Sequence, residues 1–193
     1  MSKKILIILG HPDEESFCGS LAKAYAEGAR SAGSEIKKLY LGNLKFDPIL
    51  WHGYKKRQEL ESDLIKAQED ISWADHIVII YPTWWGTMPA LLKGFFDRVL
   101  LSGFAYKFKP NSPLWDKLLK EKTARLIVTM DGPSYYYKLY LCSAGIKIIK
   151  KGILYFCGIK PVKITILDDV KNRSAEYKIK WLNQINNLGA QTK

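Results

Sequence analysis

Apolar residues along the chain fall into short unbroken runs that alternate with segments of helical period. KILIIL (residues 4–9) and HIVIIY (76–81) are apolar throughout, which marks strands covered on both faces. TARLIVTM (123–130) and KPVKITIL (160–167) read as two further strands, while EIKKLYL (35–41) is more polar and suits a place nearer a sheet edge. Between them lie helical segments. Ser16 caps a helix whose apolar positions Leu21, Ala24, Tyr25 and Ala29 recur at threes and fours, ending near Gly33. GNLKFDPILWHGYKK (42–56) reads as a long loop and KRQELESDLIKAQEDISWA (56–74) as a polar amphipathic helix. Pro89 stands at the first position of a helix continued by ALLKGFFDRVLL (90–101). Residues 135–158 read as helical up to Gly158, against the grain of Gly145 and Gly152, and SAEYKIKWLNQINNL (174–188) closes the chain.

Buried strands each followed by a helix indicate an α/β fold, a doubly wound five-stranded parallel sheet of flavodoxin-like order 2-1-3-4-5. No internal repeat, low-complexity tract or linker interrupts the 193 residues, so residues 1–193 are expected to form one domain. In such a sheet ligands bind outside the carboxyl ends of the strands, near the switch in strand order. That selects three loops: GHPDEESFCGS after the first strand, PTWWGTMP after the third and DGPSYYY after the fourth.

Composition narrows the classes. The formal charge is +11, almost all of the excess is lysine spread along the chain, and arginine is scarce. That pattern is a solvated surface with some attraction for anionic small molecules or a membrane surface, and it argues against a nucleic-acid reader. No run of about 18 apolar residues is present, so no membrane span is expected. The N-terminal run Ile5–Leu9 is too short for a secretion signal. Cys18, Cys142 and Cys157 are odd in number and lack metal-ligand spacing, and His11, His52 and His76 are scattered. Free thiols in a reducing, cytoplasmic setting and no metal site are the expectation.

The first loop has neither GxGxxG nor GK[ST], yet it leads into a helix N-terminus rich in small residues, with Ser16, Cys18, Gly19 and Ser20. Exposed N–H groups there suit a phosphate, with His11 as an added donor; equally, Ser16 is a plain N-cap. In the second loop, Trp84 and Trp85 offer flat apolar contact and Gly86 lets the backbone approach a planar ring, although packed indoles would also explain the pair. The third loop carries Asp131, Gly132 and three tyrosines. A planar cofactor between the second and third loops accounts for aromatic residues in both, and flavin fits.

HPDEESF (11–17), YPTWWGTMPALLKGFFDRVL (81–100) and GFAYKF (103–108) carry a resemblance to the NAD(P)H:quinone oxidoreductase family, running from the first strand to at least residue 137. That family includes mammalian quinone reductases, drug-activity modulators and potassium-efflux ancillary proteins. The resemblance implies a flavodoxin-like flavin-binding domain and a homodimer with active sites at the interface. FAD is the implied cofactor, with FMN the alternative, and NAD(P)H is the co-substrate. The long segment 42–56 favours FAD as a cover for adenine. The implied reaction is ping-pong hydride transfer through flavin N5 to a quinone-like acceptor.

By the same resemblance, His11, Ser16, Phe17 and Cys18 surround the phosphates and ribityl chain. Pro82, Thr83, Trp84, Trp85 and Gly86 line the ring, with the N–H groups of 84 to 86 near N5 and O4. Thr129, Met130, Asp131 and Gly132 lie at the pyrimidine end, Asp131 facing away. Tyr137 is the catalytic contact to the reduced ring, and Tyr106 and Phe108 reach the partner subunit's substrate pocket. The chain departs from the family at Cys18, Trp84, Gly86, Asp131 and Ser143, where relatives carry Asn, Gln, Phe, Gly and His. Two other readings go with the resemblance: a flavodoxin-type electron carrier, and a regulatory subunit docked on a transporter, a membrane-protein partner.

Overall fold

A computed structural model describes residues 2–192. Strands β1 (Lys4–Leu9), β2 (Glu35–Tyr40) and β3 (His76–Pro82) alternate with helices α1 (Phe17–Ser31) and α2 (Ser62–Trp73), and β3 leads into α3 (Ala90–Val99). A small hairpin follows, β4 (Tyr106–Phe108) and β5 (Trp115–Lys117), and then β6 (Thr123–Thr129). The third loop opens α4 (Ser134–Leu139); α5 (Ala144–Lys147) runs through a π-helical stretch, Ile148–Leu154, into α6 (Tyr155–Cys157). Strand β7 (Val162–Leu167) and helix α7 (Ala175–Ala190) finish the fold.

The five long strands form one parallel sheet in the order β2-β1-β3-β6-β7, the flavodoxin-like order expected from the pattern. Period-two alternation sends successive residues of each strand to opposite faces, which is why Ile5–Leu9 of β1 and Ile77–Ile80 of β3 are apolar at consecutive positions. Leu6, Ile8, Ile77, Ile79, Leu126 and Val128 pack with α2, α3 and the 144–157 helix. Ile5, Ile7, Leu9, Val78, Ile80 and Ile127 pack with α1 and α7. Ser16 caps α1 by accepting from Gly19 N–H, and Gly33 turns the chain at φ +85°.

Four details depart from the sequence pattern. The β4–β5 hairpin falls in a stretch with no strand signal, because three-residue strands carry no periodicity to read. Its position is set by tertiary contact: the Trp115 indole stacks on Phe156 at 4.4 Å and donates through Nε1 to the Phe156 carbonyl. Helix 135–158 is broken at Cys142 and Ser143, both at positive φ, and closes at Gly158. Pro89 is the N-cap of α3 rather than its first residue.

The fourth detail is α2, which starts at Ser62 instead of near Lys56. Arg98 of α3, with no solvent exposure, draws the preceding segment across that helix. Its guanidinium donates to the carbonyls of Asp47 and Glu59 and pairs with Glu61 at 2.9 Å. Pro48 sits on Gly94, where a Cβ would lie 2.4 Å from the Pro48 ring. Partial burial would raise the Glu61 carboxyl, but backbone N–H groups, Asp47 N–H among them, and Arg98 outweigh it and lower the pKa.

Arg98→Met should therefore cost about 3 kcal/mol in urea unfolding, since it leaves a carboxylate and two carbonyls unpaired. Because the folded pKa of Glu61 is depressed, the wild-type advantage should be full above the unfolded value of 4.5 and shrink as pH falls through the folded one. A variant as stable as wild type at neutral pH would refute this role.

Candidate active site

The carboxyl ends of β1, β3 and β6 lie side by side, and short backbone links hold their loops at one level. Gly10 N–H donates to Ile80 O at 2.8 Å, and Thr83 N–H to Thr129 O at 2.7 Å. The His11 and Trp84 rings meet edge to face at 5.7 Å, joining the first loop to the second.

In the first loop, His11 Nδ1 accepts from Asp13 N–H at 2.9 Å. The Ser16 hydroxyl donates to Asp13 O at 2.7 Å and accepts from Gly19 N–H at 3.2 Å, so it is committed to capping rather than to an outward contact. Phe17 packs with the α7 side of the core, and Cys18 is buried, its Sγ 3.2 Å from Thr129 Oγ1. Burial pushes the Cys18 thiol up to about 12, so it stays protonated and is a poor nucleophile. The side chains of Phe17 and Cys18, two of the residues expected around the phosphates and ribityl chain, are thus packed against the core. What they present is backbone: among the described residues, neither N–H has a hydrogen-bond partner at the N-terminus of the 15-residue helix α1.

The second loop is a tight turn closed by two hydrogen bonds, Trp84 N–H to Thr87 O at 2.9 Å and Thr87 N–H to Trp84 O at 3.0 Å. Trp85 and Gly86 occupy its centre at φ +51° and +76°, the two positive values a primed hairpin turn requires. The expectation of three ligand-facing donors is corrected to two, because the Trp84 N–H is consumed by the turn. Those of Trp85 and Gly86 have no partner among the described residues. The Trp85 indole is wholly exposed and that of Trp84 nearly half exposed, so neither is core. Behind the turn, a Cβ on Gly145 would lie 2.4 Å from Gly86 O; the glycine that weakens helix 135–158 in sequence is what lets α5 abut the turn. Pro82 ends β3, and the buried Thr83 Oγ1 has no partner among the described residues.

In the third loop, Thr129 and Met130 are buried, with Met130 N–H on Leu167 O at 2.9 Å. Asp131 and Gly132 are exposed, and the Asp131 carboxylate makes no hydrogen bond among the described residues. Asp168, which sequence reasoning missed, accepts from Ser134 N–H at 3.0 Å and holds the start of α4. The Ser134 hydrogen bonds lower its pKa. Its only sequence signal is an acid immediately after a strand.

Tyr137, expected as the catalytic contact to a reduced ring, packs against the start of the 144–157 helix. It is buried, its oxygen accepts from Ile146 N–H at 3.1 Å, and burial raises its pKa. The phenol lies beneath the turn, where a Cβ on Gly145 would meet its oxygen at 2.9 Å. Tyr81, a second residue missed in sequence, is buried with its hydroxyl unpartnered among the described residues, and burial raises its pKa as well.

Tyr106 and Phe108 are not brought to these loops. They stand on the hairpin beside Phe96 and Leu100, lining a cleft of about 690 Å³. That is the far end of α3 from the tryptophan turn, about 15 Å along a helix of this length. Among the described residues, no group of three His, Cys, Asp or Glu side chains is placed to hold a metal, and no helix is long and apolar enough to cross a membrane. Exposed indoles and N–H donors without a partner among the described residues therefore lie together at this edge, above a buried thiol and buried phenols.

A family model described as flavodoxin-like fold matches residues 3–186. The chain is 30% identical over 183 residues to the mouse (Mus musculus) ribosyldihydronicotinamide dehydrogenase (quinone), covering 82% of this chain and 78% of that protein. It is 30% identical over 170 residues to an uncharacterized NAD(P)H oxidoreductase of Haemophilus influenzae, covering 86% and 83%. The crystal structure of Smu.1420 from Streptococcus mutans superposes with a TM-score of 0.82 at 32% identity, over 97% of this chain and 98% of that one. With its strand order, its three loops and these relatives, the chain belongs to the flavodoxin-like family that includes the NAD(P)H:quinone oxidoreductases.

Proposed function

We propose that this protein is a flavin-dependent NAD(P)H oxidoreductase that reduces quinone-class acceptors. The observation that carries the reading is the tryptophan turn, which sets an exposed indole and two N–H groups without a partner among the described residues beside His11 of the first loop. The residues of the three loops would hold a flavin, which when bound would supply the hydride chemistry between NAD(P)H and the acceptor.

The chain's own residues hold and shield that group. The Phe17 and Cys18 N–H groups, with the positive end of α1, suit a phosphate. The Trp85 and Gly86 N–H groups suit the polar edge of the ring and the negative charge it gains on reduction. The unpartnered hydroxyl of Thr83 is a further donor at this edge. Covering about 100 Å² of the Trp85 indole is worth about 2.5 kcal/mol. Tyr137 stabilises the floor beneath the turn through Ile146 N–H, and the protonated phenol adds no negative charge beside the ring.

Segment 42–56 was expected to cover an adenine. Its Asp47 and Pro48 lie on α3, held there by Arg98 and Gly94. FAD and FMN share the ring and first phosphate that these residues address. The three thiols, free in the structure, suit a reducing cytosol.

Tyr106 and Phe108 then serve a second copy of the chain, in a homodimer that sets each hairpin at the other subunit's turn. Exposed Phe108, Tyr136, Leu139 and Tyr140 supply apolar surface for such an interface.

Three measurements check this. Denaturing the purified protein and chromatographing what is released should yield FAD or FMN; no flavin, even after reconstitution, would end the reading. Trp85→Gly should leave stability within about 1 kcal/mol of wild type, because it removes an exposed side chain and relieves a positive φ, yet weaken flavin binding about tenfold or more. Unchanged flavin affinity would remove the indole from the site. Light scattering should give twice the 22.1 kDa chain mass, and a monomer with full activity would exclude the shared site.

A further inference from the structure

Lysines occur throughout the chain, but the charge excess is unevenly divided. Residues 102–167 carry twelve of the 30 Lys and Arg residues and three of the 19 Asp and Glu, and so nine of the eleven net charges. Within that stretch the β4–β5 hairpin has two unlike faces. Tyr106, Phe108 and Trp115 lie on one, where the Trp115 indole stacks on Phe156. Directly opposed residues of an antiparallel pair share a face, and so do alternate residues of one strand. Lys107 opposes Asp116, and Lys109 N–H donates to Leu114 O at 3.0 Å to extend the pairing. Lys107, Lys109, Leu114, Asp116 and Leu118 therefore form the outward face.

That face is apolar and cationic together. Leu114 is 60% exposed and Leu118 43%, and neither packs against either half of the core. Asp116 is held by Lys109 at 3.7 Å, while the side chains of Lys107 and Lys120 have no hydrogen bond or ion pair among the described residues. At the base of the hairpin, a Cβ on Gly158 would lie 3.0 Å from Lys117 Cβ and 3.2 Å from Lys120 Cγ. Lys160 N–H donates to Lys122 O at 2.9 Å. Lys117, Lys120 and Lys160 thus gather where the hairpin meets the end of the 144–157 helix, with Glu121 the one acid between Lys117 and Lys122.

Two exposed leucines on one small face, set among lysines, point to a partner that uses both. A nucleic-acid backbone would engage the lysines and leave the leucines in water. An anionic bilayer engages both: its headgroups take the ammonium groups, and its acyl boundary takes the leucines and the lysine stems.

We propose that the outward face of the hairpin docks on a membrane surface that contains anionic phospholipid. Tyr106 and Phe108, on the hairpin's other face, stay available to a second subunit. Docking is peripheral, since no helix among the described residues is long and apolar enough to cross a membrane. Two leucines and a few lysines give reversible binding that salt weakens. One consequence rests on the proposed function: quinone-class acceptors with long apolar tails dissolve in the bilayer, where the docked protein would meet them. Docking itself does not depend on flavin.

The test is cosedimentation of the purified full chain with vesicles of phosphatidylcholine alone and of phosphatidylcholine mixed with phosphatidylglycerol. The chain should bind the mixed vesicles and not the neutral ones, and binding should fall as salt rises. Lys107→Gln and Lys120→Gln should each lower the partition coefficient about fivefold, and Leu114→Ser about fivefold or more. All three side chains are exposed, so the fold is retained. Lys66→Gln, which removes the same charge from an exposed position of α2, should leave partitioning unchanged, and flavin content should not differ among the variants. No binding to the anionic vesicles, or an equal loss in Lys66→Gln, would overturn the proposal. So would release by a single-stranded oligonucleotide together with an unaffected Leu114→Ser variant, which would assign the face to nucleic acid.

Discussion

The hydrogen-bonded seating of β3 between β1 and β6 is the constraint on which the rest depends. Its residues from His76 to Tyr81 are buried on both faces, so a one-residue slip would reverse every side chain between the two halves of the core. The same pairing sets the height of the loops at either end. At the carboxyl edge, Gly10 to Ile80 and Thr83 to Thr129 continue the ladder into the loops. At the amino edge, the same register places His76 beside Thr123. One strand therefore organises both the proposed flavin site at one edge and the buried His76 at the other.

The tryptophan turn shows how local geometry and packing cooperate. A non-glycine residue at positive φ costs about 1 kcal/mol or more, and Trp85 bears it. Two hydrogen bonds across the turn and α5 against its back maintain the conformation. Gly145 permits that contact and Tyr137 lies beneath it, its hydroxyl on Ile146 N–H. Gly145 and Tyr137, behind the turn, thus help to determine where the exposed indole points.

The five long strands were legible because strands buried on both faces must be apolar at consecutive positions, and KILIIL and HIVIIY are. Strand order and the three loops followed from topology alone. The N-cap at Ser16 was legible too, but not that its hydroxyl would be fully used by the cap. The break at Cys142, the late start of α2 and the β4–β5 hairpin were not visible. Each results from a distant partner: α5 against the turn, Arg98 across the 47–61 segment, and Phe156 under Trp115.

Period and polarity thus determine, without any structure, the layered α/β sheet and the edge at which a ligand belongs, because alternation and burial are local properties of a strand. The direction of each side chain at that edge is decided in three dimensions. Trp84 and Trp85 are alike in sequence, yet one leans on His11 and the other stands free. Cys18 and Tyr137 turn inward and leave only backbone donors or a buried floor. His76 begins a strand in sequence, and only folding surrounds it with Lys3, Arg125 and Lys163. Such convergence depends on residues more than a hundred positions apart, and no local pattern encodes it.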